Sequence, residues 1–199
     1  MSFWTWFDGG ESMPQNRTWR QRLALRFGRY LATRHGNVFI DPTARVSPDA
    51  RVHPRAGSIR IGANSTIAPG VTLQGNVDIG ANSSVQTGTI LIGYGDREKR
   101  EGLISIGDHV RIAPFVQIIA GNHNFEDVTR PIAKQGLTPV PITIESDVWV
   151  AGRVILTAGV RVGHGSVLAA GAVVTKNVAP LSIMAGVPAR LLRRRSALE

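Results

Sequence analysis

Cysteine is absent from the 199 residues of the chain, so disulfide cross-links and a thiol nucleophile are both excluded. Aromatic residues are scarce, at 6%, and acidic residues are outnumbered by basic ones, 14 against 23. No stretch reaches the roughly 20 apolar residues of a membrane span, and the first ten residues lack the basic and apolar segments of a signal peptide. We therefore expect the protein in the cytoplasm.

The excess of positive charge lies at the two ends of the chain. Residues 1–36 carry six Arg against two acids, and residues 190–199 carry four Arg against one. Such ends suit a polyanionic ligand, an acidic glycan or the anionic inner face of a membrane. Arginines that only keep the protein in solution would give the same pattern.

The abundant residues are aliphatic, and they recur with a period of six. Ile, Leu and Val supply 50 of the 199 residues, so six aliphatic residues in six consecutive tries would arise by chance on the order of once in 4000. The period fits neither a helix, at about 3.6 residues, nor an alternating strand, at about two. The six positions are Ile144, Val150, Leu156, Val162, Leu168 and Val174.

A period of six predicts a triangular coil with one short strand on each face and one aliphatic side chain pointing inward from each strand. Stacked coils share one narrow core. The predicted fold class is therefore an all-β solenoid, a parallel β-helix over residues 37–179. Two interruptions, at 92–103 and 122–141, predict loops that project from the coil, where solenoids often bind their ligands.

The ends of the chain are predicted to close the coil. Residues 1–36 form an N-terminal segment whose helix begins after a cap at Asn16 and ends near Gly36. We expect its apolar side to cover the first coil, with contact to a membrane surface as the alternative. Residues 180–199 form a closing segment and basic tail. The apolar helix positions are Trp19, Leu23, Phe27, Tyr30 and Leu31.

Four motifs accompany the repeat: the His within 121–127, Asp147-Val-Trp-Val-Ala-Gly152, Ala169-Ala-Gly-Ala-Val-Val-Thr-Lys176 and Gly186-Val-Pro-Ala189. Over residues 40–195 the chain resembles the hexapeptide-repeat acyltransferases, in particular sugar O-acetyltransferases of the galactoside, maltose and surface-polysaccharide kind. The resemblance implies a left-handed coil and a homotrimer that binds acetyl-CoA between subunits. Glu145 and Ala169 depart from the family pattern, which has Gly at both positions.

Transfer of an acetyl group to a sugar hydroxyl requires a base for the hydroxyl proton and donors for the developing oxyanion. Of the five histidines, His123 stands where the coil gives way to a long loop, and the family's catalytic His matches that position. A backbone carbonyl or the carboxylate of Glu126 or Asp127 could hold the other ring nitrogen. The candidates for contacts with the acceptor are Gln86, Asn122, Asn124 and Trp149.

For the coenzyme, the resemblance points to small residues that allow close approach to the backbone and to cations that suit phosphates. These residues are Gly152, Ala170, Thr175, Lys176, Arg190 and Arg193. Gln86 stands where the family often has Asn, and Trp149 matches the family's tryptophan beside the reaction centre. No metal is expected.

The predicted function is acetyl-CoA-dependent O-acetylation of a sugar in surface-polysaccharide or glycan synthesis. N-acetylation of an amino sugar requires the same base, and a non-catalytic scaffold could share the coil. A zinc carbonic anhydrase would need three converging histidines, for example His109, His123 and His164. The expected partners are further copies of the chain and a sugar or glycan acceptor, and nucleic acid is not expected.

Overall fold

A computed structural model describes residues 2–196, so the last three residues of the predicted basic tail lie outside it. Within this range, short strands build six turns of a parallel β-helix, and each turn gives one strand to each of three sheets. Sheets A, B and C contain the first, second and third strand of each turn, respectively. The predicted parallel coil is confirmed, and its left-handed sense stays a prediction.

The strands of the first four turns are two or three residues long. In chain order they are β1 (Val38–Ile40), β2 (Arg45–Val46), β3 (Arg51–His53), β4 (Ile59–Ile61), β5 (Thr66–Ile67), β6 (Thr72–Gln74), β7 (Val77–Ile79), β8 (Ser84–Val85), β9 (Ile90–Ile92), β10 (Ile104–Ile106), β11 (Arg111–Ile112) and β12 (Gln117–Ile119).

After an antiparallel hairpin that projects from the coil, two further turns and a closing pair of strands follow. They are β13 (Gly121–His123), β14 (Leu137–Pro139), β15 (Ile142–Ile144), β16 (Trp149–Val150), β17 (Ile155–Leu156), β18 (Arg161–Val162), β19 (Val167–Leu168), β20 (Val173–Val174), β21 (Ser182–Ala185) and β22 (Arg190–Arg194).

The aliphatic residues that recur with a period of six, which we call the ladder residues, form the core. All six aliphatic positions from Ile144 to Val174 are at most 1% exposed, as the period predicts. In the parallel register, each ladder residue lies beside the ladder residues of the neighbouring turns. Leu156, for example, lies between Ile118 and Val174. Burial of each such side chain contributes about 1.5–3 kcal/mol, and the repetition of this contact along the coil holds the sheets together.

The first insertion, between β9 and β10, is fastened to the coil by the buried side chain of Asn76. Its Nδ2 donates to the carbonyl oxygens of Tyr94 at 2.8 Å and Asp96 at 2.8 Å, while its Oδ1 accepts from the backbone N–H of Ser58 at 2.9 Å. Buried amides need such partners, and here they fix the start of the loop.

Two helices precede the coil: α1 (Phe3–Phe7) and α2 (Trp19–Thr33). Thr18 caps α2 through a capping box with Gln21, so the predicted cap at Asn16 is wrong, and α1 was not predicted. In this capping box the backbone N–H of Gln21 donates to the Thr18 hydroxyl, and the backbone N–H of Thr18 donates to the Gln21 side chain. The helix therefore begins after Thr18. No helix within residues 2–196 is long and apolar enough to cross a membrane.

Helix α2 contacts β1, β2 and β3 of the first turn, but through the face opposite to the one predicted. Ala24, Gly28 and Ala32 are buried, whereas Trp19 and Tyr30 are 61% and 65% exposed. The two backbones touch, because a Cβ atom on Gly28 would lie 2.1 Å from the carbonyl oxygen of Val46. Only small residues fit so close a contact.

At the other end, β21 adds to sheet B in parallel with β19, and β22 turns back antiparallel to β21. The closing segment is thus a hairpin that ends sheet B.

Candidate active site

His123 is the last residue of β13 and lies on an ordered hairpin. β13 pairs with β14 so that His123 stands opposite Leu137. At the base of the hairpin the backbone N–H of Val140 donates to the carbonyl oxygen of Ala120 at 3.0 Å. The imidazole is exposed, so the hairpin presents it to solvent at the corner that leads from sheet C to sheet A.

Asn124 stabilises the turn that follows His123. Its Nδ2 donates to the carbonyl oxygen of Gln135 at 3.1 Å, and its Oδ1 accepts from the hydroxyl of Thr138 at 2.7 Å. Asn122 is exposed, and among residues 2–196 its side chain forms no hydrogen bond. Of the two asparagines, Asn122 is therefore the better placed to contact an acceptor.

Asp127 is engaged within its own turn rather than with His123. Its Oδ1 accepts from the hydroxyl of Thr129 at 2.6 Å and from the backbone N–H of Thr129 at 3.0 Å. The Thr129 hydroxyl, followed by this N–H, lowers the pKa of Asp127 below its ordinary value, because both bonds favour the charged carboxylate. Glu126 is exposed, and no side chain in the described range bonds to the His123 ring.

A second group of candidates follows the strands of sheet B. Residues in register at the end of this sheet form a column of one glutamine and four alanines, linked by backbone hydrogen bonds of 2.8–3.0 Å. Since neighbouring strands lie about 4.8 Å apart, the column is about 19 Å long. Its small side chains leave an edge along which an extended ligand could lie. The column is Gln86, Ala113, Ala151, Ala169 and Ala185.

Trp149 and the two predicted small residues, Gly152 and Ala170, lie beside this column. Trp149 is 53% exposed on the outer face of sheet B, between Arg111 and Val167 in register. Gly152 and Ala170 occupy the turns that follow β16 and β19. An exposed indole with small neighbours is suited to cover a ligand that lies on the edge.

Thr175 and Lys176 lie at the other corner, the one that carries the His123 hairpin. The strands of sheet C place Ile119, Thr157 and Thr175 in one column, and the hairpin leaves the coil just after Ile119. Thr175 is therefore two strand spacings, about 10 Å, from the base of the hairpin. Both Thr175 and Lys176 are exposed.

Arg190 and Arg193 are exposed on β22, at the end of sheet B. Their guanidinium groups donate to the backbone carbonyl oxygens of Ala189 at 3.1 Å and Arg194 at 3.3 Å. Neither pairs with a carboxylate within residues 2–196, so both charges are available to an anionic ligand.

One chain thus divides the predicted site between two corners. His123, Thr175 and Lys176 follow sheet C, whereas Gln86 and Trp149 belong to sheet B. His109 and His164 lie at the third corner, between sheets A and B, so one chain does not bring them to His123.

Sequence reasoning missed Ala113, Ala185 and Tyr94. The two alanines could have been found by continuing the register from Gln86 through the insertions. The ring of Tyr94 packs on Gly121, since a Cβ atom there would lie 2.9 Å from its Cε2 atom. An aromatic residue in an otherwise charged loop was the signal for such a contact, which joins the first loop to the start of β13.

Glu145, a departure from the family pattern, has a structural explanation. Its carboxylate accepts from the backbone N–H of His164 at 2.7 Å and from the guanidinium of Arg161 at 2.9 Å. The hydrogen bond from His164, followed by that from Arg161, lowers the pKa of Glu145. The side chain therefore ties one turn of the coil to the next.

Comparison with known proteins gives the same repeat. Residues 60–91 and 141–176 match the family described as the hexapeptide repeat of succinyl-transferase. Galactoside O-acetyltransferase of Escherichia coli is 40% identical over 91 residues, which are 45% of this chain and 43% of that protein. The resemblance to the hexapeptide-repeat acyltransferases is confirmed. This chain spans less than half the length of the curated relatives that it matches first.

Solved structures share the fold. An N-acyltransferase from Bacillus cereus, in complex with dTDP-4-amino-4,6-dideoxyglucose and coenzyme A, has a TM-score of 0.73 at 22% identity, covering 85% of this chain and 89% of that one. A hexapeptide-repeat acetyltransferase from Vibrio cholerae, complexed with acetyl coenzyme A, has a TM-score of 0.50 at 26% identity, covering 88% and 85%. The first likeness supports the coil architecture alone.

Proposed function

We propose that this chain transfers an acetyl group from acetyl-CoA to a sugar hydroxyl in the synthesis of a surface polysaccharide or glycan, with His123 as the general base. One observation carries the proposal. An exposed imidazole stands on an ordered hairpin at one corner of the coil, while an alanine-lined edge with an exposed tryptophan runs along another.

His123 would accept the proton of the acceptor hydroxyl as its oxygen attacks the thioester carbonyl carbon. The carbonyl oxygen then carries negative charge until the carbon–sulfur bond breaks. The imidazolium returns the proton to the departing thiolate, which gives the acetyl ester and free coenzyme. An imidazole can accept a proton near pH 7 and return it as the imidazolium. Asn122 and Gln86 are the amides proposed to contact the acceptor or the oxyanion.

The chain offers suitable groups for the coenzyme. From Ala113 to Ala185 the column beside Gly152 and Ala170 carries only alanine, so an extended pantetheine arm could approach the backbone there, with Trp149 over it. Thr175, Lys176, Arg190 and Arg193 would bind the phosphates, for which exposed cations are suited. Because the edge, Arg190 and Arg193 belong to sheet B whereas His123 lies at the corner after sheet C, we propose a homotrimer in which each site is shared by two copies.

N-acetylation of an amino sugar is the second candidate. The Bacillus cereus neighbour is an N-acyltransferase in complex with a nucleotide-linked amino sugar, and an amine nucleophile requires the same base. The two candidates differ only in the atom attacked, so acceptors matched in all but that atom distinguish them.

The test is release of free thiol from acetyl-CoA with a panel of hydroxyl and amino sugars, free and nucleotide-linked. With the best acceptor, we expect His123→Ala to lower kcat about 10²–10⁴-fold, with coenzyme binding unchanged. His109→Asn is the matched control. His109 has a positive φ of 58° at a distant corner, a conformation that Asn tolerates, so this variant should keep full activity.

Mixed oligomers test the shared site. His123→Ala and Ala169→Trp, which fills the edge, should each be inactive. If each site takes His123 from one chain and the edge from the next, co-assembled chains should recover about a quarter of the wild-type activity. Full turnover by His123→Ala would overturn the assignment of the base. Coenzyme release with no acceptor at all, or no coenzyme binding, would favour a scaffold.

A further inference from the structure

Seven of the twelve aromatic residues of the chain lie between positions 3 and 30, and most of them are outside the core. α1 packs on α2 through aromatic contacts, with the Trp4 ring stacked on Phe27 at 4.7 Å. Five other large side chains of the two helices face solvent with 45–67% of their surface exposed. We call this set the aromatic surface: Phe3, Trp6, Trp19, Leu23 and Tyr30.

The part of the aromatic surface that belongs to α2 lies on the side of the helix opposite to the coil. At about 100° per residue, Trp19, Leu23 and Tyr30 form one stripe about half a turn around α2 from Gly28. Gly28 marks the side that touches the coil. The helix therefore buries small residues against the coil and presents the stripe outward, the reverse of the ordinary arrangement for a helix that caps a core.

Arginines flank this stripe on both sides. Arg22 and Arg26 precede it around the helix, and Arg20 and Arg34 follow it; all four are exposed. Arg20 lies over the Trp19 ring, with 5.6 Å from its Cζ atom to the centroid. Within residues 2–196 none of the four forms an ion pair.

Residues 1–36 carry six Arg against Asp8 and Glu11, so the charge near this surface stays positive even with Asp49 counted. The guanidinium of Arg22 donates only to the carbonyl oxygens of Asn16 and Arg17, and Arg34 donates to the His35 ring. Of the acids, Asp8 accepts from the backbone N–H of Gly10, and Glu11 is exposed. Asp49 accepts hydrogen bonds from Ser2 and Thr5.

We propose that the aromatic surface docks onto a lipid bilayer with anionic headgroups. Trp and Tyr favour the boundary between headgroups and acyl chains, and flanking arginines are attracted to anionic lipid. An apolar stripe with cations on both sides, outward on a helix fixed by its opposite face, fits a flat anionic surface. This inference is independent of the catalytic proposal.

Cosedimentation of the full chain with vesicles tests the docking. With phosphatidylcholine vesicles containing about one third phosphatidylglycerol, we expect binding that weakens as salt is raised. Vesicles of phosphatidylcholine alone should bind at least about tenfold less, because each arginine near an anionic surface strengthens binding severalfold. The double variant Trp6→Ser/Trp19→Ser should bind anionic vesicles at least about tenfold more weakly.

Phe125→Ser is the matched aromatic control, since Phe125 is 60% exposed on the distant hairpin, and it should bind as wild type does. Far-ultraviolet circular dichroism of the double variant checks that it stays folded. The proposal would be overturned if wild type bound both kinds of vesicle equally. It would also be overturned if the double variant bound anionic vesicles as strongly as wild type does. A change of oligomeric state in the double variant without vesicles would overturn it as well, since the surface would then be a contact between copies.

Discussion

The coil and the helix that covers its first turn bury opposite kinds of side chain. The coil interior takes Ile, Leu and Val, each nearly or fully buried. Helix α2 buries Ala24, Gly28 and Ala32 and exposes Trp19 and Tyr30. Both are interfaces of one molecule, so hydrophobicity by itself does not determine which residue is buried.

The difference lies in how closely the two backbones approach. Inside the coil, the three sheets stand far enough apart for branched side chains to meet along the axis. At α2, the missing side chain of Gly28 lets the helix backbone touch that of Val46 and Pro48. A face is therefore buried when its side chains fit the available space, and in α2 the largest ones do not.

The largest effect should come from a change inside the coil. Leu156→Ala removes a side chain that is 1% exposed, and we expect it to lower the free energy of unfolding by about 2–5 kcal/mol, because the rigid stack cannot close the cavity. Urea unfolding measures this change. The neighbouring outward position gives the control, since Ile155 is 38% exposed and Ile155→Ala should cost clearly less. Equal losses would mean that the core is not the narrow column described.

A smaller effect should come from the helix contact. Gly28→Ala places a methyl group against backbone atoms, and relieving this clash should destabilise the chain by about 1–3 kcal/mol. Arg26→Ala on the exposed side of the same helix should change stability by no more than about 0.5 kcal/mol. The same urea experiment compares them. A neutral Gly28→Ala would show that α2 does not sit against Val46.

The smallest effect should come from Glu145, at the corner between sheets A and B. Its pKa is lowered in the folded chain, so the stability it contributes is present above its ordinary pKa of 4.5 and is lost as pH falls through the folded value. Near pH 7, Glu145→Gln should lower Tm by no more than about 2 °C, as for a surface contact.

Thermal unfolding of wild type and Glu145→Gln between pH 7 and pH 3 checks the sign. The difference in Tm should shrink as the pH falls. A difference that grows on acidification would mean that the carboxylate is not stabilised by His164 and Arg161.

The period of six is sufficient to predict the coil, because a coil with three short strands in each turn buries one aliphatic side chain from each strand. It could not predict which face of α2 docks, since the decisive contact is between Gly28 and a carbonyl oxygen far away in the sequence. Nor could it predict the β13–β14 hairpin, whose strands are too short to show a period. The candidate residues were found by resemblance, but their division between two corners depends on insertion lengths and the strand register.

The returning strand β22 has a consequence for how the chain associates. The exposed edge of a parallel sheet is a template on which a strand of another chain can add. A stack of similar turns could grow in this way from copy to copy. At sheet B the last place is taken by an antiparallel strand that carries three arginines, and charged side chains on an edge strand disfavour the addition of another strand. Residues 186–196, which are mostly exposed, thus protect this edge rather than fill the interior.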